Sequence, residues 1–459
     1  MAVEALDTGA EHRDVTSELA NWVADLKPEN VTPRAYRWAT HCFLDWFAVT
    51  IGGAHEPLVD MLVAEALDQE GSGSVPLVGR PEKVAPRWSV LINGSTGHAL
   101  DFDDVNSDMH GHPTVPLVPA LLTEARLAGA SGQDMLLAFI AGYEVECMLG
   151  LMMGDGHYDQ GFHSTATVGT LGAAAAISKL RGLDAEQTGM ALGIAATQAA
   201  GLKSMFGTMC KPMHAGKAAE SGWLAARLAS RGFTAKSDGV ECEQGFGPTL
   251  SPEFTPIAIR PDTSQPFEVE NNLFKYHAAC YLTHSPIEAT RGLAQDNNLT
   301  TQDVEAIDIR VHPASLRVCN IQEPDTGLGI KFSLRHTAAL AFLGEDTGAF
   351  DTYSDVNANR DDLVALRAKA QVAGWEGAGD SRSSAEIAIK LVDGTDLVRH
   401  IDVGVPASDT DAQEKLLIAK LHSLVDPLFG AECADQIAAL ALALEEAETV
   451  EPLMNAANR

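Results

Sequence analysis

Basic residues are scarce in this chain. Lys and Arg number 32 against 63 Asp and Glu, a net charge of −31 over 459 residues. That balance argues against nucleic acid and anionic membranes as partners, because both need a positive field. It also sets a condition on an anionic substrate: cations must be gathered locally against the overall field. The acidity suits solubility, a salty cytoplasm included. Cysteines are few and scattered: Cys42, Cys147, Cys210, Cys242, Cys280, Cys319 and Cys433. No pair has CxxC spacing, and an odd count does not suit a disulfide framework. A reduced cytoplasm is the expected compartment. The first residues, MAVEALDTGAEHRD, show no basic stretch followed by an apolar one, so no signal peptide is expected. Gly and charge break the longest apolar runs well short of about 20 residues, so no transmembrane helix is expected. Repeats, low-complexity tails and an HExxH motif are also missing.

The length is enough to bury a large core in two domains. Residues 15–26 place Val15, Leu19, Trp22, Val23 and Leu26 at helical spacing. Thr32-Pro33 opens a second helix with Ala35, Trp38, Ala39, Cys42, Phe43 and Trp46 on its apolar face, ending at Gly52-Gly53. Residues 72–87 read as a Gly/Ser/Pro-rich connection. Ser131 to Asp134 resembles a capping box before a long apolar helix. Residues 161–182 are rich in Gly, Ala, Ser and Thr and predict a buried central helix. Nothing before about residue 262 reads as a strand. Beyond it, residues 304–313 alternate Ile307, Ile309 and Val311 as a strand does. Residues 385–405 alternate on both sides of Asp393-Gly394, a hairpin signal. A helix is predicted at 333–343, and helices return from Asp411. The expected architecture is mainly α: a helical domain over 1–262, rejoined by 411–459, and a smaller α+β domain over 263–410.

One stretch is chemically dense. His98 to Pro113 reads HALDFDDVNSDMHGHP and holds three histidines and four aspartates between apolar runs. Burying such a cluster is costly unless its groups pair or do chemistry. Ion pairing that only caps backbone is one reading. A second is a metal-dependent hydrolase, with His98, Asp101, Asp103, Asp104, His110 and His112 as oxygen and nitrogen ligands.

Five stretches in order resemble the MmgE/PrpD family, which includes 2-methylcitrate dehydratases, cis-aconitate decarboxylases and an iminodisuccinate epimerase. They are NGSTGHALDFDDVNSDMHGHPTVPLVPALL (93–122), GFHSTATVGTLGAAAA (161–176), GTMCKPMHAGKAAESGWLAARLASRGF (207–233), FKYHAACYLTH (274–284) and KFSLRH (331–336). The resemblance implies a large helical domain, a smaller α+β lid domain, a homodimer and no cofactor or metal. The implied chemistry breaks a bond alpha to a carboxylate of a small di- or tricarboxylate. That needs an acid or base and cations aimed at the developing charge.

Residue by residue, the resemblance puts His112 in the site as general acid/base. Asp101 would orient it or hold a substrate hydroxyl, with Asp103 and Asp104 as weaker candidates. His163 precedes the small-residue helix, where the helix dipole lowers proton affinity. Lys211 matches the family's active-site lysine, and the following Pro212 predicts an extended backbone there. His214 and Lys203 lie close by, and His157 is a further neighbour. Lys275 would close over substrate carboxylates, with His98, Cys280 and His284 around it. Three positions depart from the pattern. Cys280 stands where animal aconitate decarboxylases have a lid histidine, His336 where many members have tyrosine, and Val105 where threonine is usual. His336 remains an acid/base candidate. Dehydration of a 2-methylcitrate-like acid ranks first, alpha-carbon epimerisation second and decarboxylation third. The DFDD-to-HP spacing resembles that of the epimerase. A carboxylate-binding protein without activity is the remaining reading.

Overall fold

The computed structural model describes residues 13–259, 265–375, 377, 379 and 381–459. Helix α1 spans Val15–Asp25 and α2 spans Pro33–Gly52. Thr32 caps α2 by accepting from the Ala35 amide, and Pro33 fills the first helical position. The expected apolar stripe widens into burial on almost every side from Ala35 to Ile51. A helix buried all round belongs in the middle of a large core. Phe43 meets Phe139 edge to face at 5.2 Å, and Trp46 meets Phe47 likewise.

Helices α3 (Pro57–Glu70), α4 (Pro86–Gly97), α5 (Thr114–Ala128), α6 (Gly132–Asp159), α7 (Ser164–Leu180), α8 (Ala185–Ala196) and α9 (Cys210–Ala229) follow, and α4, α5 and α6 pack on α2. Between α3 and α4 lie two short antiparallel strands, β1 (Val75–Pro76) and β2 (Lys83–Val84). They correct the expectation of no strand before 262; two residues are too few to show alternation. Ser131 caps α6 and Asp184 closes a full capping box on α8. Helix α6 carries Gly142, Glu144 and Glu146 within its apolar stretch. It is long and apolar enough to cross a membrane, but 94% of its most apolar window is buried within the protein. Burial as a core helix accounts for that composition.

The small-residue helix is central, as expected. In α7 every residue from Ser164 to Ser178 is buried, and it packs against α6, α8 and α9. Close approach needs glycine. A Cβ on Gly216 of α9 would stand 2.2 Å from the Leu91 carbonyl of α4 and 2.3 Å from Ser95 Oγ. Gly216→Ala is therefore expected to cost about 1–3 kcal/mol by forcing α4 from α9. Urea unfolding would measure it.

Helix α10 (Phe246–Leu250) packs on α6, and the smaller part carries α11 (His284–Asp296). Strands β3 (Val304–Val311), β4 (Ala370–Gly374), β5 (Ser384–Leu391) and β6 (Asp396–Asp402) form one sheet in the order β4-β3-β5-β6. The β5–β6 hairpin turns at Asp393-Gly394, with Gly394 at φ 89, which glycine adopts without strain. Strand β4 pairs parallel to β3 and was not expected, since its residues AQVAG show no alternation. The fold is thus mainly α with a smaller α+β part. Helix Thr410–Phe429 returns to pack on α2, and its buried Lys420 donates to Asp45 Oδ1 at 2.6 Å and to the Phe102 carbonyl at 2.8 Å. This contact pins the backbone of the DFDD run.

Candidate active site

Helix α4 ends at His98, and the chain turns sharply through Asp101. Asp101 has φ 53, left-handed backbone that few side chains tolerate and Asp tolerates better than most. The turn aims Asp101 and Asp103 into one space. Next, Asn106 and Gly111 close a small loop by paired backbone hydrogen bonds, and the Asn106 side chain accepts the amides of Asp108 and Met109. The loop delivers His112, whose amide donates to Thr165 Oγ1 of α7 at 3.0 Å. Val105 and Leu273 exchange backbone bonds at 2.9 Å, tying this turn to the Lys275 segment.

Two ammonium groups meet one carboxylate oxygen. Asp101 Oδ1 lies 2.9 Å from Lys211 Nζ and 2.9 Å from Lys275 Nζ. Lys275 also donates to the Asp101 carbonyl at 2.7 Å. Burial pushes the Asp101 carboxyl up, but Lys211 and Lys275 outweigh it and hold it well below the usual range. For Lys275, burial favours the neutral amine, and Asp101 and Asp103 reverse that, so its pKa is raised. Lys211 does not have the extended backbone expected before Pro212. It sits in the first turn of α9, where proline's missing N–H has no partner to lose. The helix N-terminus adds positive potential at the same point.

A second carboxylate holds the imidazoles. Asp103 accepts from His98 Nδ1 at 2.8–2.9 Å, so that nitrogen carries the proton. His112 Nδ1 is 3.2 Å from Asp103 Oδ2, off the line of a full hydrogen bond. His112 Nε2 is 3.8 Å from Asp101 Oδ1. Asp103 is thus the carboxylate nearer to His112, and Asp101 sits between two lysines. His98 is lowered to about 4, by burial first and despite Asp103. His163, the residue before α7, is held well below the ordinary value by burial and by the charges of His98 and Lys211. It is neutral, and its Nδ1 shares a proton with His214 Nδ1 at 3.1 Å. The His98 ring lies 4.4 Å from that of His112 and 5.8 Å from that of His163.

Exposure sorts these groups. The side chains of Asp101, His112 and Lys211 are 22%, 11% and 12% exposed, whereas those of His98, Asp103 and Lys275 are buried. The first three can touch a small molecule.

Other expected residues do different work. His336 donates or accepts on both ring nitrogens: Nε2 faces the Asn357 carbonyl at 3.1 Å and Nδ1 accepts from Arg367 at 3.1 Å. Burial and Arg367 lower it to about 4. The acid/base role expected of His336 has no geometric support. Lys203 lies on the Tyr158 ring face, 3.4 Å from its centroid, and donates to that residue's carbonyl. His284 starts α11 with its ring against His277 and Tyr281. His157 bonds the Leu250 carbonyl and Thr167, and His110 pairs with Asp155 at 3.1 Å. Cys280 comes nearer to the site: its thiol is lowered chiefly by a hydrogen bond from Cys319, with Asp101 and Lys275 among its electrostatic neighbours. Lys331 is a residue that sequence reading passed over. Its ammonium approaches the Leu100 carbonyl at 3.4 Å, and burial lowers it to about 8.

Behind the site, Asp104 is buried, accepts from Thr114, and has no partner at Oδ1. Burial, with Asp45's charge, pushes it up to about 8. Between its unfolded value of about 3.9 and that value, the folded state holds a proton that the unfolded chain has lost. Stability is thus expected to fall through this range by at most about 1.4 kcal/mol per pH unit. Asp104→Asn should remove that slope in urea titrations at several pH values.

Among the described residues, one group has metal-ligand geometry: His98, Asp101, Asp103 and His112, with donor atoms within 4.8 Å of one another. The two carboxylates are already engaged. Asp101 takes two ammoniums, and Asp103 holds His98. A dication there would face Lys211 and Lys275 directly. The arrangement fits acid/base chemistry beside a fixed pair of cations.

The MmgE/PrpD N-terminal domain matches residues 17–257, and the MmgE/PrpD C-terminal domain matches 277–446. The chain belongs to the MmgE/PrpD family. Among curated relatives of this MmgE/PrpD protein is the cis-aconitate decarboxylase-like protein oryM of Aspergillus oryzae, 32% identical over 62% of each chain. The aligned stretch thus spans less than two thirds of that relative. Cis-aconitate decarboxylase of Aspergillus terreus is 25% identical over 100% of this chain and 98% of its own. That of Mus musculus is 26% identical over 96% and 92%.

Proposed function

We propose that this protein is a lyase that forms and protonates a carbanion alpha to a carboxylate of a small polycarboxylate. The observation that carries the proposal is the pair of lysines on Asp101, with His112 Nε2 3.8 Å from the shared oxygen. Lys211 is partly exposed and keeps N–H donors for a substrate oxygen. As a bond to carbon breaks, charge spreads into that oxygen, and a fixed cation stabilises it more than it stabilises the ground state. His112, steadied by Asp103, moves the proton. Side chains supply each of these parts, so we expect EDTA to leave turnover unchanged.

The names of the relatives favour decarboxylation of a cis-aconitate-like acid over dehydration, which ranked first on sequence alone. Dehydration of a 2-methylcitrate-like acid stands as the second reading. It is favoured by Cys280, which the resemblance sets where animal aconitate decarboxylases have a lid histidine. Purified protein with cis-aconitate, 2-methylcitrate or iminodisuccinate, followed by NMR, separates these readings. Loss of CO2 from cis-aconitate is the expected result. Loss of water from 2-methylcitrate alone would replace it with the second reading. Turnover of none of them, or turnover abolished by EDTA, would overturn the proposal. A homodimer is the expected assembly, to be read by light scattering.

A further inference from the structure

Lysines from three separate stretches converge on the turn at Leu100-Asp101. Lys211 comes from α9, Lys275 from the segment before α11, and Lys331 from the turn before helix Leu334–Phe342. The first two share Asp101 Oδ1. Lys331 reaches only the Leu100 carbonyl, at 3.4 Å, the outer limit of a hydrogen bond. Its Nζ otherwise lies over rings, 4.1 Å from the Phe350 centroid and 5.7 Å from that of Tyr353. Such faces attract a cation but accept no conventional hydrogen bond. An ammonium has three donors to satisfy, and this one has a single long contact.

The position is built, not loose. The Lys331 carbonyl accepts from the Cys280 amide at 3.0 Å, which ties it to the stretch carrying Lys275. The local charge is also unbalanced. Three lysines meet Asp101 and Asp103, and Asp103 is committed to imidazoles, while Glu56 acts on Lys331 through space without an ion pair. A surplus cation in a chain of net charge −31 marks a place for an incoming anion.

We propose that Lys331 is a substrate-binding residue that takes a second carboxylate of the substrate, away from the oxygen held by Lys211. The proposal rests on the polycarboxylate reading and extends it: the preferred ligand carries at least two carboxylates, one for Lys211 and one for Lys331. Burial, Lys275 and Lys211 lower Lys331, while Asp101 and Glu56 act the other way, leaving it at about 8. It is charged below that value and loses its charge above it, so its contribution to anion binding fades as pH rises.

Calorimetric titration with two unreactive probes, the tricarboxylate tricarballylate and the monocarboxylate butyrate, tests this. The wild type should prefer tricarballylate near pH 7, and the preference should fade by about pH 9. Lys331→Met should weaken tricarballylate at least about tenfold, the loss of one charge-assisted hydrogen bond, with butyrate within about twofold. Lys331→Arg should keep the preference and lose its pH dependence. A Lys331→Met protein with wild-type preference, or one that weakens both probes equally, would overturn the proposal while leaving the polycarboxylate reading intact. Wild type that binds neither probe would overturn both.

Discussion

Lys211→Met is expected to lower kcat/KM by about a hundred- to a thousandfold, the usual effect of removing one donor aimed at developing charge. The drop should appear mainly in kcat. Substrate carboxylates retain Lys331 on our proposal, so ground-state binding falls less than transition-state stabilisation. The fold should persist, because methionine fills the same space at the start of α9 and Lys211 is still 12% exposed. Steady-state kinetics with an unfolding curve on the same preparation would check both points. A variant that raised KM alone would reduce Lys211 to a binding group.

Asp101→Asn is expected to damage both activity and stability. The wild-type carboxylate neutralises Lys275, whose side chain is 2% exposed, and positions Lys211. An amide accepts hydrogen bonds but carries no charge. Lys275 then loses the carboxylate it pairs with and keeps only the through-space charge of Asp103, a loss of about 3–5 kcal/mol when one partner of a buried pair is removed. Its pKa should fall as burial prevails, so the variant should lose activity at least as severely as Lys211→Met. Denaturant midpoints measured from acidic to neutral pH give a further check. Asp101 is held well below the carboxylate range when folded, so the stability it supplies is full above its unfolded value and is lost as pH falls below it. The wild type should therefore lose stability in acid more steeply than Asp101→Asn.

Much of this was legible in the sequence, for physical reasons. Thr32-Pro33 and Ser131 carry capping chemistry, and the helices begin there. Asp393-Gly394 carries turn chemistry, and the hairpin turns there. The density of Asp and His between apolar runs pointed to the His98–Pro113 turn, since such groups are buried only in company. Two things were not legible. Asp101 and Asp103 sit two positions apart, and which of them faces His112 depends on the left-handed backbone at Asp101, which composition does not reveal. Lys331 stands in the KFSLRH stretch, where the unusual His336 drew attention; only the fold shows that His336 is spent on Arg367 and Asn357 while Lys331 lacks an anion. Strand β4 escaped because its residues follow the pairing demand of β3 rather than a pattern of their own.

The central claim is a carbanion formed beside Lys211 and protonated by the protein. The most direct test is proton NMR of the turnover of cis-aconitate in D2O. The account predicts product with one deuterium at the carbon that carried the charge, formed equally with and without EDTA, and formed far more slowly by Lys211→Met. Product without solvent deuterium, or turnover that needs a chelatable metal, would contradict it.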